Sequence, residues 1–227
     1  MEWGKIRAVI FDVDGTLYDQ GRLRVRMMRD LAAYYLTRPH RWKDLLILHQ
    51  FRLLREEMAA SPETEGNQLI TQYQWTAERT RTPVERVEWC VREWILSHPL
   101  PYLSSCRYPG LLEFCEHLQQ RSIRLAAFSD YPGVEKLRAL KLPEMMAVCS
   151  TDPEVDALKP DPKGLLLTVE KLSVPIDACL FIGDRDDRDG ECARRVHMSY
   201  IIKSNNSLNS NQFCCYWELD RQLTQCL

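Results

Sequence analysis

The 227-residue chain carries 30 Lys and Arg against 32 Asp and Glu, a formal net charge of −2, and 45% of its residues are hydrophobic. That length suits a core domain with a modest insertion rather than two large independent domains, and the charge balance argues against a dedicated nucleic-acid binder. No apolar run reaches the ~20 residues of a membrane span and Met1 to Lys5 lacks a signal-like apolar region, so a soluble, cytoplasmic protein with no membrane partner is expected.

The chain opens on a nearly continuous β-rich run, Ile6 to Phe11, which reads as a strand buried on both faces and ends in Asp12-Val13-Asp14-Gly15-Thr16-Leu17. The periodicity then turns helical for about eighty residues. Helices are predicted over 22–36, with Leu23, Met27, Leu31 and Tyr34 at helical spacing, and over 41–58, with Leu45, Leu48, Phe51 and Leu54. After a break at 61–66 a third covers 68–79. A fourth starts at Thr82-Pro83-Val84-Glu85, with a capping-box Thr, a proline at the first helical position and a Glu three residues on. It runs to about Leu96, and His98-Pro99-Leu100-Pro101 ends it.

Helices in direct succession after a strand do not make a βαβ crossover; they predict a small module over the strand ends. Alternation then resumes with a helix at 111–120, a strand at 124–128 ending in Ser129-Asp130, a helix at 134–140 and a short strand at 147–150. Lys159-Pro160-Asp161-Pro162 precedes a helix at 163–172, and a buried strand at 178–182 stops at Gly183-Asp184. A helix at 191–196, a strand at 199–202, a polar loop at 204–212 and a helix at 216–225 complete the chain. The prediction is an α/β fold, a doubly wound and mostly parallel sheet in a core of 1–19 and 104–227, with a helical cap at 20–103.

Two acids spaced i, i+2 at a strand's C-terminal edge lie where open α/β sheets bind ligands, and they invite a hard cation such as Mg2+. Gly15 frees the backbone to turn sharply. A bare D-x-D-G also describes a strand running into an Asp-Gly turn, but the longer string Phe11-Asp12-Val13-Asp14-Gly15-Thr16-Leu17 resembles the first motif of the haloacid dehalogenase-like hydrolases. Ser129, Lys159-Pro160 and Gly183-Asp184 resemble the family's second, third and fourth motifs, in order, so the likeness runs to about Ile202.

The resemblance implies a Rossmann-like core and roles for these positions. Asp12 would be the nucleophile, and Asp14 the acid and base, its backbone carbonyl helping to hold the metal. Ser129 would bind the substrate phosphate together with Lys159, whose ammonium neutralises the reacting groups. Asp184 would join Asp12 and Asp14 as metal ligand, supported by Asp189 or, less favoured, Asp187. Asp130 stands where Asn is common and is given no phosphate-binding role; Asp186 is expected to face solvent.

These residue types fit phosphoryl transfer through an aspartyl intermediate, which splits one difficult hydrolysis into two displacements. Dehalogenating members lack an acid two places after the nucleophile, so Asp14 favours phosphate chemistry. The reading is a Mg2+-dependent phosphatase for a small phosphorylated metabolite. A phosphotransferase or mutase, or a non-catalytic binding member, are the alternatives; the set Asp12, Asp14, Lys159 and Asp184 argues against the last.

Between Gly21 and Ala60 nine Lys or Arg face four acids, a balance that either steers an anionic substrate or marks a solvated helix face. Trp75, Trp89 and Trp94 read as packing residues. Nine cysteines without a C-x-x-C pair, several in apolar runs, read as buried thiols of a reducing compartment; Cys214-Cys215 lacks nearby partners for a metal clamp.

Overall fold

A computed structural model describes residues 3–60, 67–204 and 211–225. Six parallel strands, β1 (Ala8–Phe11), β2 (Arg124–Ser129), β3 (Met146–Cys149), β4 (Cys179–Gly183), β5 (Ser199–Lys203) and β6 (Gln212–Phe213), form one sheet in the order β3-β2-β1-β4-β5-β6. The order reverses direction between β1 and β4, which places the crevice of an open α/β sheet at their carboxyl ends.

β1 is buried along its whole length because its alternate side chains serve two different layers. Val9 and Phe11 pack with Leu111, Phe114 and Leu118 of α6 (Leu111–Gln120) and with Tyr216 and Leu219 of α10 (Tyr216–Gln225). Ala8 and Ile10 face the opposite layer, with Leu165 and Leu172 of α8 (Lys163–Leu172) and Ala193 of α9 (Glu191–Arg195). Apolar demand on both faces explains the absence of polar alternation in the strand sequences.

Between β1 and α6 the chain inserts α1 (Gln20–Leu36), α2 (Lys43–Ala60), α3 (Gln68–Thr80), α4 (Val84–Val91) and α5 (Leu100–Cys106). α1 begins at Asp19, whose carboxylate accepts from the Arg22 amide at 3.0 Å. Tyr18 and Arg107 form an antiparallel bridge where the chain leaves and re-enters the sheet layer.

Three local expectations are corrected. Thr82 makes no capping box: Pro83 takes the cap position, and the Thr82 hydroxyl donates to the Thr80 carbonyl at 3.1 Å. His98-Pro99 does not end the helical run. α4 passes into a π-helical stretch, Arg92–Ser97, and α5 starts directly afterwards, because proline in a first turn sacrifices only a donor that the helix leaves unpaired anyway. Gln212 belongs to β6, which pairs with β5 at Ile202–Gln212, rather than to a loop; residues 205–210 lie outside the described residues.

Candidate active site

The amide of Asp12 still donates to the Ile182 carbonyl at 2.8 Å, so the sheet itself aims this first carboxylate out of the β1–β4 edge. Asp12 is only 6% exposed. One of its oxygens accepts from the Thr16 hydroxyl at 2.9 Å and the other from Lys159 Nζ at 2.5 Å. The same ammonium donates to Asp189 at 2.8 Å, and the second Asp189 oxygen accepts from the amides of Asp184 and Arg185, each at 3.1 Å. Asp189 is therefore built into the turn after β4, and a Cβ on Gly183 would overlap its side chain.

Asp184 faces the backbone of Gly15, where a Cβ would overlap the carboxylate. Gly15 also has φ +100°, so this position needs glycine both for its backbone angle and for the close approach. Asp12, Asp184 and Asp189 each offer an oxygen, all within 4.8 Å of one another. An all-oxygen set of this kind suits a hard divalent cation.

The charges are unbalanced. Burial pushes the Asp12 carboxyl well up, with Asp189, Asp184 and Asp14 adding to the shift and Lys159 opposing it. Burial and Asp189 push Asp184 up to about 7. Burial alone would discharge Lys159, yet Asp12, Asp189 and Asp130 outweigh it and hold the ammonium well above its usual range. One lysine among three crowded carboxylates leaves negative charge that a divalent cation would neutralise.

Asp14 lies on a different set of partners. Lys136 Nζ, buried on α7 (Val134–Ala139), sits 2.6 Å from each of its oxygens, and the Tyr18 hydroxyl donates to one of them. Burial works against ionisation of Asp14, but Lys136 and Tyr18 prevail and hold its carboxyl below the usual range.

Ser129, at the end of β2, is buried, and its hydroxyl oxygen accepts from the Tyr131 amide at 3.3 Å. Asp130 accepts from the Ser150 hydroxyl at 2.5 Å and from the Lys159 amide at 3.2 Å, which ties the ends of β2 and β3 to the lysine loop. Asp187 points elsewhere: it is exposed and pairs with Arg185 at 2.7 Å.

The structure thus brings Asp12, Asp14, Ser129, Lys159, Asp184 and Asp189 to one cavity of about 590 Å3 and leaves Asp187 outside it. Lys136, Tyr18 and Thr16 were not singled out from sequence. Thr16 and Tyr18 follow Asp12 and Asp14 at four-residue spacing, a usable signal, whereas Lys136 sits in an ordinary helix and carries none. Of the nine basic residues between Gly21 and Ala60, Arg24, Arg52 and Arg55 reach the cavity. Trp94 is buried against Tyr34 and Tyr35 and also lines it; Trp75 is exposed, and Trp89 stacks under Arg86 at 4.3 Å.

The sequence pattern of the haloacid dehalogenase-like hydrolases matches residues 6–197. The chain belongs to that family. A phosphorylated carbohydrates phosphatase from Thermotoga maritima is 28% identical over 215 residues, 91% of this chain and 89% of that one. The fold also matches solved family structures. A 2-haloacid dehalogenase from Pseudomonas syringae pv. Tomato aligns with a TM-score of 0.64 at 16% identity, over 98% of this chain and all of that one. A HAD phosphatase from Thermococcus onnurineus aligns with a TM-score of 0.58 at 19% identity, over 96% and 98%. This haloacid dehalogenase-like hydrolase has an acidic cluster at its β1–β4 edge, and no described helix is long and apolar enough to cross a membrane.

Proposed function

We propose that this hydrolase is a Mg2+-dependent phosphatase acting on a small phosphorylated metabolite through an aspartyl-phosphate on Asp12. The observation that carries the reading is the paired arrangement of two carboxylates: Asp12 shares Lys159 with Asp189, beside Asp184, while Asp14 stands apart on Lys136 and Tyr18. The 28%-identical relative named as a phosphatase supports phosphoester chemistry.

Asp12 and Asp184, with the Asp14 carbonyl, would hold Mg2+, which supplies charge neutralisation between the nucleophile and the phosphoryl oxygens. Asp12 attacks phosphorus and the alcohol leaves; Lys159 and the Ser129 hydroxyl meet the charge on the transferring group. Asp14, once protonated from solvent, gives that proton to the leaving oxygen and then takes one from the attacking water. Lys136 and Tyr18 hold its carboxylate on that line and favour its base form. Helices α1–α5 act as a cap over this edge, fastened by Glu56 of α2, which accepts from Arg185 at 2.9 Å and Arg188 at 2.6 Å. Six cysteines, Cys90, Cys106, Cys115, Cys149, Cys179 and Cys192, are buried free thiols, which suits a reducing, cytoplasmic setting.

The direct test is phosphate release from a panel of phosphoesters with and without Mg2+. Free phosphate with no phosphorylated acceptor is expected; transfer to a second hydroxyl would mark a mutase, and no turnover of any ester a binding protein. Metal binding has its own signature. An Asp184 that titrates near 7 in the fold and near 4 in the unfolded chain costs stability above pH 7, and the cost is relieved as pH falls from 7 towards 4. Metal-free Asp184→Asn is therefore expected to melt a few degrees above metal-free wild type at pH 8, the gap closing near pH 5. Mg2+ should raise the melting temperature of wild type and not of the variant; an equal rise in both would place the ion elsewhere.

A further inference from the structure

The cavity above the strand ends has two unlike walls. α2 supplies His49, Arg52 and Arg55, along with Leu53 and with Glu56, which neutralises Arg185 and Arg188 of the β4 turn and leaves Arg52 and Arg55 as this wall's cations without an acid partner among the described residues. Arg52 makes no hydrogen bond or ion pair among the described residues. Arg55 is buried, and among the described residues its guanidinium meets neutral acceptors, the Gln72 side chain and the Asp130 carbonyl, above the Tyr131 ring at 4.2 Å.

The opposite wall is made by α1, the π-helical stretch and α5, which are pinned together through Asp30: its carboxylate accepts from the Tyr102 hydroxyl at 2.6 Å and lies 3.0 Å from His98 Nε2. Leu23, Met27 and Leu31 form a stripe at four-residue spacing on α1, continued by Trp94, Leu100 and Leu103. Among the described residues that line this wall, the charged or amide side chains are Gln20 and Arg24, both at its edge next to the first turn of α1, and Arg24 donates to Gln20 at 2.7 Å.

From this division, and resting on the phosphatase reading above, we propose that the substrate is the phosphate monoester of an apolar aliphatic or aromatic alcohol. Its dianionic head lies between the strand-edge cluster and the α2 cations, and its hydrocarbon body lies on the α1–α5 wall. A cavity of about 590 Å3 holds a body of one or two rings. A sugar ring on the same wall would lose water from several hydroxyls with few side chains, Gln20, Arg24 and the Trp94 indole, to meet them, at roughly tenfold in binding for each one left unpaired. The assignment departs from the 28%-identical relative named for phosphorylated carbohydrates.

The test compares cyclohexylmethyl phosphate with glucose 6-phosphate, which share a six-membered ring, an exocyclic CH2–O–P linkage and similar intrinsic reactivity. With Mg2+ present, kcat/KM is expected to favour cyclohexylmethyl phosphate by about tenfold or more. Met27→Gln, which puts an amide of similar size in the middle of the stripe, should narrow that ratio by about threefold or more; a ratio unmoved by the substitution counts against the wall. Equal or faster turnover of glucose 6-phosphate by wild type overturns the assignment while leaving the phosphatase reading intact. If neither ester nor phenyl phosphate is hydrolysed, the phosphatase reading falls and the assignment with it. The wild-type ratio decides the matter even if the variant does not fold.

Discussion

Asp12→Asn is expected to remove Mg2+-dependent hydrolysis of phenyl phosphate, by a factor of about 10⁴ or more in kcat, without unfolding the protein. The carboxylate is held in attacking position from three directions: the sheet through its own amide, the Thr16 hydroxyl and the Lys159 ammonium. An amide of the same shape keeps the Lys159 contact through its carbonyl oxygen and turns its NH2 to donate to the Thr16 hydroxyl, but it cannot form the phosphorylated intermediate. Lys159 retains Asp189 at 2.8 Å, so the substitution does not strand a buried charge. It also removes a carboxylate that burial makes costly, so metal-free stability should hold or rise. Phosphate release and thermal melting measured on one preparation check both halves. Activity within tenfold of wild type would remove Asp12 from the chemistry.

The second large effect is expected at Lys159, and there both activity and stability fall. Lys159→Met leaves Asp12 and Asp189 facing each other in a site only a few per cent exposed, with Asp184 adjacent. Removing one member of a buried, hydrogen-bonded ion pair costs about 3–5 kcal/mol, and loss of the neutralising charge about 10²–10³ in kcat. The stability loss has a direction in pH. Asp12 is already raised by burial with the lysine in place, and without it the carboxyl rises further. A raised carboxyl costs stability above its folded pKa and is relieved as pH falls through it, so the deficit should be largest at pH 8 and shrink towards pH 5. Mg2+ should recover part of the deficit at pH 8, since a cation in the cluster replaces some of the missing charge. Lys159→Arg should not restore activity, because a planar fork cannot place one compact charge between Asp12 and Asp189. Urea unfolding at two pH values, with and without Mg2+, measures all of this. An unchanged midpoint at pH 8 would show that Lys159 does not carry the charge balance of the cluster.

Much of the architecture was legible in the amino-acid order because it is locally encoded. A strand buried on both faces needs continuous apolar residues, and β1, β2 and β4 have them. An amphipathic helix needs three- and four-residue spacing, and α6, α8 and α10 lie where that spacing begins and ends. Where local signals compete, reading the sequence failed. Thr82 and Pro83 both offer to start α4, and proline took the cap position. His98-Pro99 signals a stop, but a proline can equally open the next helix, and α5 follows. β6 is two residues long and becomes a strand through its pairing to β5, with Phe213 packed on Tyr216, and no periodicity can announce so short an element.

The candidate site divides the same way. Asp12, Asp14, Ser129, Lys159 and Asp184 are chemistry-bearing residues at strand ends or helix starts, so type and position together mark them. Which acid after Asp184 turns inward was open until the β4 turn directed Asp189 to Lys159 and left Asp187 on Arg185. Lys136 could not be found from sequence: it lies 122 residues from Asp14, in a helix like any other, and matters only because the β1–β2 pairing brings α7 over the first loop. The apolar wall is likewise a product of packing. The sequence by itself determined the layers, the strand-end acids and the chemistry they suit, because those depend on residue type and near-neighbour spacing. Only the tertiary structure decided which carboxylate shares which lysine, and that one face of the cavity is hydrocarbon, because both depend on contacts between segments far apart in the chain.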